Sequence, residues 1–195
     1  MRIKDNKVIS ETPFLKFNNT EYEDNLGNTK HWVWCQRPGG VKAVVIVAVV
    51  DRGFVPPWTE TGYKRNLGIV VIKEKRIPLN DFEYGFPAGL VNEGESPIEA
   101  AKRELTEETG LKVRRVIKHS PYIYSSAGMT DESVSMVYVE CEGDVSSEFL
   151  ESSEDIEAFV MSQRDVINLL EEPNKKFSAK AWIVLDYFAR NGDII

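Results

Sequence analysis

The stretch from Gly89 to Leu111, GLVNEGESPIEAAKRELTEETGL, decides how the rest of the chain is read. Ser96 can cap a helix, Pro97 suits its first position, Glu99 sits where it closes a capping box, and Gly110 supplies the stop. Ile98, Ala101, Leu105 and Thr109 recur at helical spacing as a buried stripe. Glu104 and Glu108 stand four residues apart and Glu104 and Glu107 three, so their carboxylates share one face, turned to a cleft or to solvent rather than to the core. Like charges at that spacing cost about 0.2–0.5 kcal/mol per pair. A divalent cation converts that repulsion into a binding site.

Gly89, Glu95, the run Arg103-Glu104-Leu105, the pair Glu107-Glu108 and Gly110-Leu111 together match the signature of the Nudix hydrolases at every position. A chance match in a chain of this size is on the order of one in a million. The resemblance extends from about residue 31 to the end of the chain. It implies an α/β (α+β) chain with the Nudix fold, a mixed β-sheet in an α/β/α sandwich. A small N-terminal β segment over 1–30 would precede the Nudix domain over 31–195. The activity it implies is metal-dependent hydrolysis of the pyrophosphate bond of a nucleoside diphosphate linked to a second group. Mg²⁺ is the expected cofactor, with Mn²⁺ as a substitute; it binds through one or two carboxylates and substrate phosphates. Glu104 and Glu108 are the main candidate ligands, with Glu107 a further ligand or a catalytic partner behind them. Arg103 is expected to brace a neighbouring carboxylate.

Other segments bear on the substrate. Phe86-Pro87-Ala88-Gly89 resembles the entry to the box in ADP-ribose and nucleotide-sugar pyrophosphatases, which makes the Ala88 carbonyl a metal ligand. The strand from Gly68 to Arg76 resembles one that ends in a phosphate- or ribose-binding arginine in the same subgroup, a role carried to Arg76. Tyr122 to Glu132 resembles the loop that carries a catalytic glutamate, so Glu132 is the candidate general base and Asp131 its rival. Two positions depart from the subgroup: Ala127 stands in place of a proline and Gly85 in place of a glutamate, with Glu83 two residues away. Both departures bear on the substrate, not on the reaction.

Aromatic residues Phe14, Phe17, Trp32, Trp34 and Trp58 crowd the N-terminal third. In the resembled subgroup an N-terminal β region exchanges across a two-fold dimer and stacks on the base. A homodimer is therefore expected, with Trp32 or Trp34 facing the nucleotide.

The 195 residues, 42% of them apolar, suffice for one ordinary core, and the net charge of −7 argues against general affinity for nucleic acid or anionic membrane. Two cysteines and an opening without a signal-peptide pattern suggest a cytoplasmic protein. Strands are expected at about 7–18, 31–36, 42–51, 68–75, 112–124, 133–141 and 156–161, with a loop at Pro56, Pro57 and Gly62. Two further helices are expected near 163–171 and 178–190. Two alternatives to an ADP-ribose or nucleotide-sugar pyrophosphatase are a dinucleotide (NADH-type) or coenzyme A pyrophosphatase, and a Nudix-fold nucleotide-binding module without catalysis.

Overall fold

The run Ala43–Val50 lacks the polar alternation of a half-wet strand, and it lies in the main sheet with both faces covered. The computed structural model describes residues 1–54 and 65–195; the expected loop at Pro56, Pro57 and Gly62, and Trp58, lie outside them. In chain order, β1 (Arg2–Glu11), β2 (Lys16–Glu23) and β3 (Thr29–Gln36) form a separate three-stranded antiparallel sheet. β4 (Ala43–Phe54), β5 (Arg65–Arg76), β6 (Asp81–Gly85) and β7 (Ala88–Leu90) lead into α1 (Pro97–Thr109). β8 (Lys112–His119), β9 (Ile123–Tyr124), β10 (Ser133–Glu142) and β11 (Ile156–Met161) precede α2 (Gln163–Glu171) and α3 (Ala179–Asn191).

The main sheet runs β11-β5-β4-β10-β8, with β6 on β5, β7 on β4 and β9 on β10. Only β4 and β10 pair in parallel among the described strands, which makes the sheet mixed. One apolar layer packs Val44, Ile46, Val70, Val137 and Val139 against Ala100, Ala101 and Leu105 of α1. The other packs Val47, Val49, Ile69 and Val71 against Val166 of α2 and Leu185 and Phe188 of α3. The expected α/β/α sandwich is therefore observed.

Two expected strands are interrupted by local hydrogen bonds. Between β1 and β2, Thr12 Oγ1 accepts from the N–H groups of Phe14 and Leu15, and Pro13 has no N–H to extend a ladder, so 7–18 is a hairpin rather than one strand. Pro121 likewise separates β8 from the two-residue β9. The N-terminal sheet runs on to Gln36, so β3 straddles the expected boundary at residue 31.

At the C-terminal end of β10, Glu140 is buried and ringed by guanidinium groups: Arg115 at 2.6 Å, Arg65 at 2.8 Å and Arg114 at 2.8 Å. Arg115 chiefly, with Arg65, holds its carboxyl down to about 2. A carboxyl lowered in the folded state contributes stability above its ordinary value of 4.5, and that contribution fades as pH falls towards about 2. Glu140→Gln is expected to cost about 2 kcal/mol in urea denaturation at pH 7. The deficit should shrink when the same titration is run at pH 3.

Candidate active site

Helix α1 starts as expected. The Ser96 side chain accepts from the Glu99 N–H at 3.2 Å, Glu99 accepts from the Ser96 N–H at 2.8 Å, and Gly110 ends the helix at φ 75°. Its acidic face is more enclosed than the sequence suggests. Glu104 is 9% and Glu108 5% exposed, while Ile98 is only half-buried. The helix turns this face onto the backbone of β7, and the reason lies in Gly89. A Cβ there would lie 1.9 Å from Glu104 Cδ, so only glycine lets the carboxylate occupy that space.

Glu108 Oε2 accepts from the Ala88 N–H at 3.1 Å. Burial pushes the Glu108 carboxyl up to about 9, aided by the charge of Glu104, against the smaller pull of the Ala88 N–H. Burial also raises Glu104, opposed by Arg103.

Arg103 binds on several sides. Its Nη1 donates to Glu104 at 2.7 Å and to Glu107 at 2.9 Å, its Nε and Nη2 donate to Glu95 at 3.1 and 3.0 Å, and Nη2 also reaches the Leu90 carbonyl at 2.9 Å. The guanidinium thus fastens the loop before α1 to the helix and holds three box carboxylates, Glu95, Glu104 and Glu107, at once. Glu95 in turn accepts from the Asn92 N–H at 3.0 Å, and Arg103 keeps its carboxyl below the usual range.

The Ala88–Gly89 backbone opens into a cleft of about 300 Å³ that is also lined by Arg37, Glu74, Arg76, Glu83, Glu132 and Lys180. Arg76 lines it too, with Nη1 on Glu74 at 2.6 Å and Nε on Glu83 at 3.4 Å. Glu132 enters the cleft and accepts from Arg37 Nε at 2.7 Å. Its rival Asp131 accepts from Gln36 Nε2 at 2.9 Å and lines a different cavity.

That second cavity, about 520 Å³ and largely apolar, lies between the N-terminal sheet and the loop before β10. Trp32 and Trp34 both line it, joined by Tyr22 and Tyr124. Their indole N–H groups donate to the Gly128 carbonyl at 2.9 Å and to Thr20 Oγ1 at 2.8 Å. Phe14 sits in the β1–β2 turn, 76% exposed, and Phe17 is exposed on β2.

Sequence reasoning missed Arg37, Glu74 and Lys180. Arg37 stands at the end of β3, before Pro38-Gly39-Gly40, and that break was the only available signal that the chain turns there. Lys180, whose Nζ donates to Ser125 Oγ at 2.6 Å, enters from the first turn of α3, far along the chain from the box.

The donor set suits a hard cation. Among the described residues no three His, Cys, Asp or Glu side chains converge on one point, because Arg103 draws Glu104 and Glu107 to itself. Mg²⁺ needs no such cage, since it retains water and takes one or two carboxylates with substrate phosphates. Glu108 and Glu104 lie against the Ala88 and Gly89 backbone, with Glu107 beside them on Arg103, a set of oxygens that could hold such a cation.

The chain belongs to the Nudix family: the family's NUDIX domain pattern matches residues 58–183. It is similar to the ADP-sugar pyrophosphatase of Mus musculus, 31% identical over 142 residues that cover 71% of this chain and 60% of that protein. It is also 31% identical over 147 residues to the ADP-ribose pyrophosphatase of Bacillus subtilis, covering 74% of this chain and 70% of that one. The crystal structure of an ADP compounds hydrolase superposes with a TM-score of 0.71 at 18% identity, covering 99% of this chain and 96% of the other, a likeness of fold.

Gly89→Ala tests the seating of Glu104. With a Cβ in its place the carboxylate must swing away, and Mg²⁺ affinity measured by calorimetry is expected to fall about 10- to 100-fold. The helical circular dichroism should remain that of the unaltered protein.

Proposed function

We propose that the protein is a Mg²⁺-dependent pyrophosphohydrolase acting on a nucleoside diphosphate linked to a sugar, ADP-ribose or a nucleotide sugar, and releasing a nucleoside monophosphate and a sugar phosphate. The observation that carries this reading is the seating of Glu108 and Glu104 against Ala88 and Gly89 at a cleft that also holds Glu132. The relatives named for ADP-sugar and ADP-ribose hydrolysis support it, with the chain spanning 60% and 70% of their lengths.

Each residue has a task in this scheme. Glu104, Glu108 and the Ala88 carbonyl would hold the cation, Glu107 stands by them, and Arg103 fixes the angle of Glu104 and Glu107. A cation held there would neutralise charge developing on the phosphates and make water a better nucleophile. Glu132, with its carboxylate steadied by Arg37, orients the attacking water and takes its proton. Arg76 meets a phosphate or the terminal ribose from the cleft wall, where Glu74 and Glu83 already hold its guanidinium. The pyrophosphate bond is broken by water directly, with no covalent enzyme intermediate.

The apolar cavity suits the base. An adenine-sized ring stacked on Trp32 or Trp34 would gain roughly 1–3 kcal/mol. We also propose a homodimer built through the N-terminal sheet, which leaves Ile3, Ile9, Phe14 and Val33 exposed in a single chain. The free thiols of Cys35 and Cys141 fit the reducing cytoplasm. Among the described residues no helix is long and apolar enough to cross a membrane.

A panel of ADP-ribose, nucleotide sugars, NADH and coenzyme A with Mg²⁺ tests the substrate class. Release of AMP from ADP-ribose is expected to exceed that from NADH; turnover of NADH or coenzyme A alone would reject the assignment. Glu108→Gln is expected to lower kcat by at least about a thousandfold, leaving no more than the residual activity that binding and positioning retain. Unaltered turnover in that variant would remove the metal role.

A further inference from the structure

The loop from Ser125 to Glu132 borders both cavities. Ala127, Thr130 and Asp131 line the aromatic one, and Ser125 and Glu132 line the charged cleft beside Ala88 and Gly89. Residues Ser125 to Met129 are exposed, so burial does little to fix this loop in place. It is held instead by a row of contacts to the end of β3, taken in order along both segments. Trp32 Nε1 donates to the Gly128 carbonyl at 2.9 Å, the Cys35 N–H donates to the Met129 carbonyl at 2.8 Å, and Cys35 bridges in parallel to Thr130. Gln36 Nε2 then donates to Asp131 at 2.9 Å, and Arg37 Nε to Glu132 at 2.7 Å. Every loop residue from Gly128 to Glu132 is thus tied to residues 32–37.

We propose that β3 is a splint for the catalytic loop, with the Trp32 indole N–H and the Gln36 and Arg37 side chains as positioning groups that set Glu132 from the wall of the base-binding cavity. This rests on the roles assigned above to Glu132 and to the aromatic cavity. Its consequence concerns the use of binding energy. A ring seated against Trp32 stabilises the strand edge that holds Gly128 to Glu132, so recognition of the base improves the placement of the group that handles water. Contacts remote from the reacting atoms then raise kcat as well as affinity.

The effect is separable from simple stacking. Trp32→Phe keeps an aromatic face but removes the N–H that reaches Gly128, and Gln36→Ala removes the tie to Asp131 while touching neither cavity's reacting groups. Both are expected to lower kcat roughly tenfold on ADP-ribose, and in Gln36→Ala, which leaves the stacking face intact, KM should change by less than about twofold, as a small misplacement of a catalytic group would do. Combining either with Glu132→Gln should add no further loss, because the splint acts through that carboxylate. A raised KM with unaltered kcat in Trp32→Phe, or a multiplied loss in the double variants, would overturn the splint while leaving the roles of Glu132 and the cavity in place. Full activity in Glu132→Gln alone would instead overturn the assigned base, and the splint with it.

Discussion

Glu104 and Glu108, two carboxylates of one helix, are buried against the backbone of the strand that precedes it, and the rest of the site depends on that burial. Exclusion of water raises both, Glu108 as far as about 9, and the charge of Glu104 adds to the rise at Glu108. The apolar face of α1, with Ala101 and Leu105 in the core, sets how close the helix lies. Gly89 makes room for Glu104, and Arg103 compensates part of the charge while drawing Glu95, Glu104, Glu107 and the Leu90 carbonyl to one guanidinium. Remaining charge must be met by a proton or by a cation.

The sheet explains why distant segments meet at this point. β4 contributes side chains to both apolar layers, and its first residues pair with β7 on one side and, in parallel, with β10 on the other. Ala88 is therefore opposite Val45, while Val134 is opposite Ala43. Glu132, two residues before Val134, arrives at the same end of β4 as the box backbone. The Glu140 cluster at the other end of β10 anchors β8 and β5 through their arginines and stays apart from the chemistry.

Much of this was legible in the chain. The helix caps and the acidic face followed from local chemistry, the sheet followed from apolar runs such as Ala43–Val50, and Ala88, Arg76 and Glu132, singled out by resemblance, line one cleft. What stayed hidden depended on contacts between residues far apart. Glu104 and Glu108 read as facing outward, because nothing in a helical pattern reveals that glycine in the preceding strand lets a carboxylate pack inward. Arg37 and Lys180 meet partners 95 and 55 residues away, beyond the reach of any periodicity. The breaks at Pro13 and Pro121 were written in the sequence but were outweighed by the β-forming residues around them.

Burial pushes the Glu108 carboxyl up to about 9, so a cation that binds on it competes with a proton. Calorimetry of Mg²⁺ binding at pH 7 in buffers of different ionisation enthalpy measures that proton directly. Release of about one proton per cation bound is expected, lost together with most of the affinity in Glu108→Gln. Binding without proton release, and with equal affinity in Glu108→Gln, would contradict the placement of the cation on the buried face of α1.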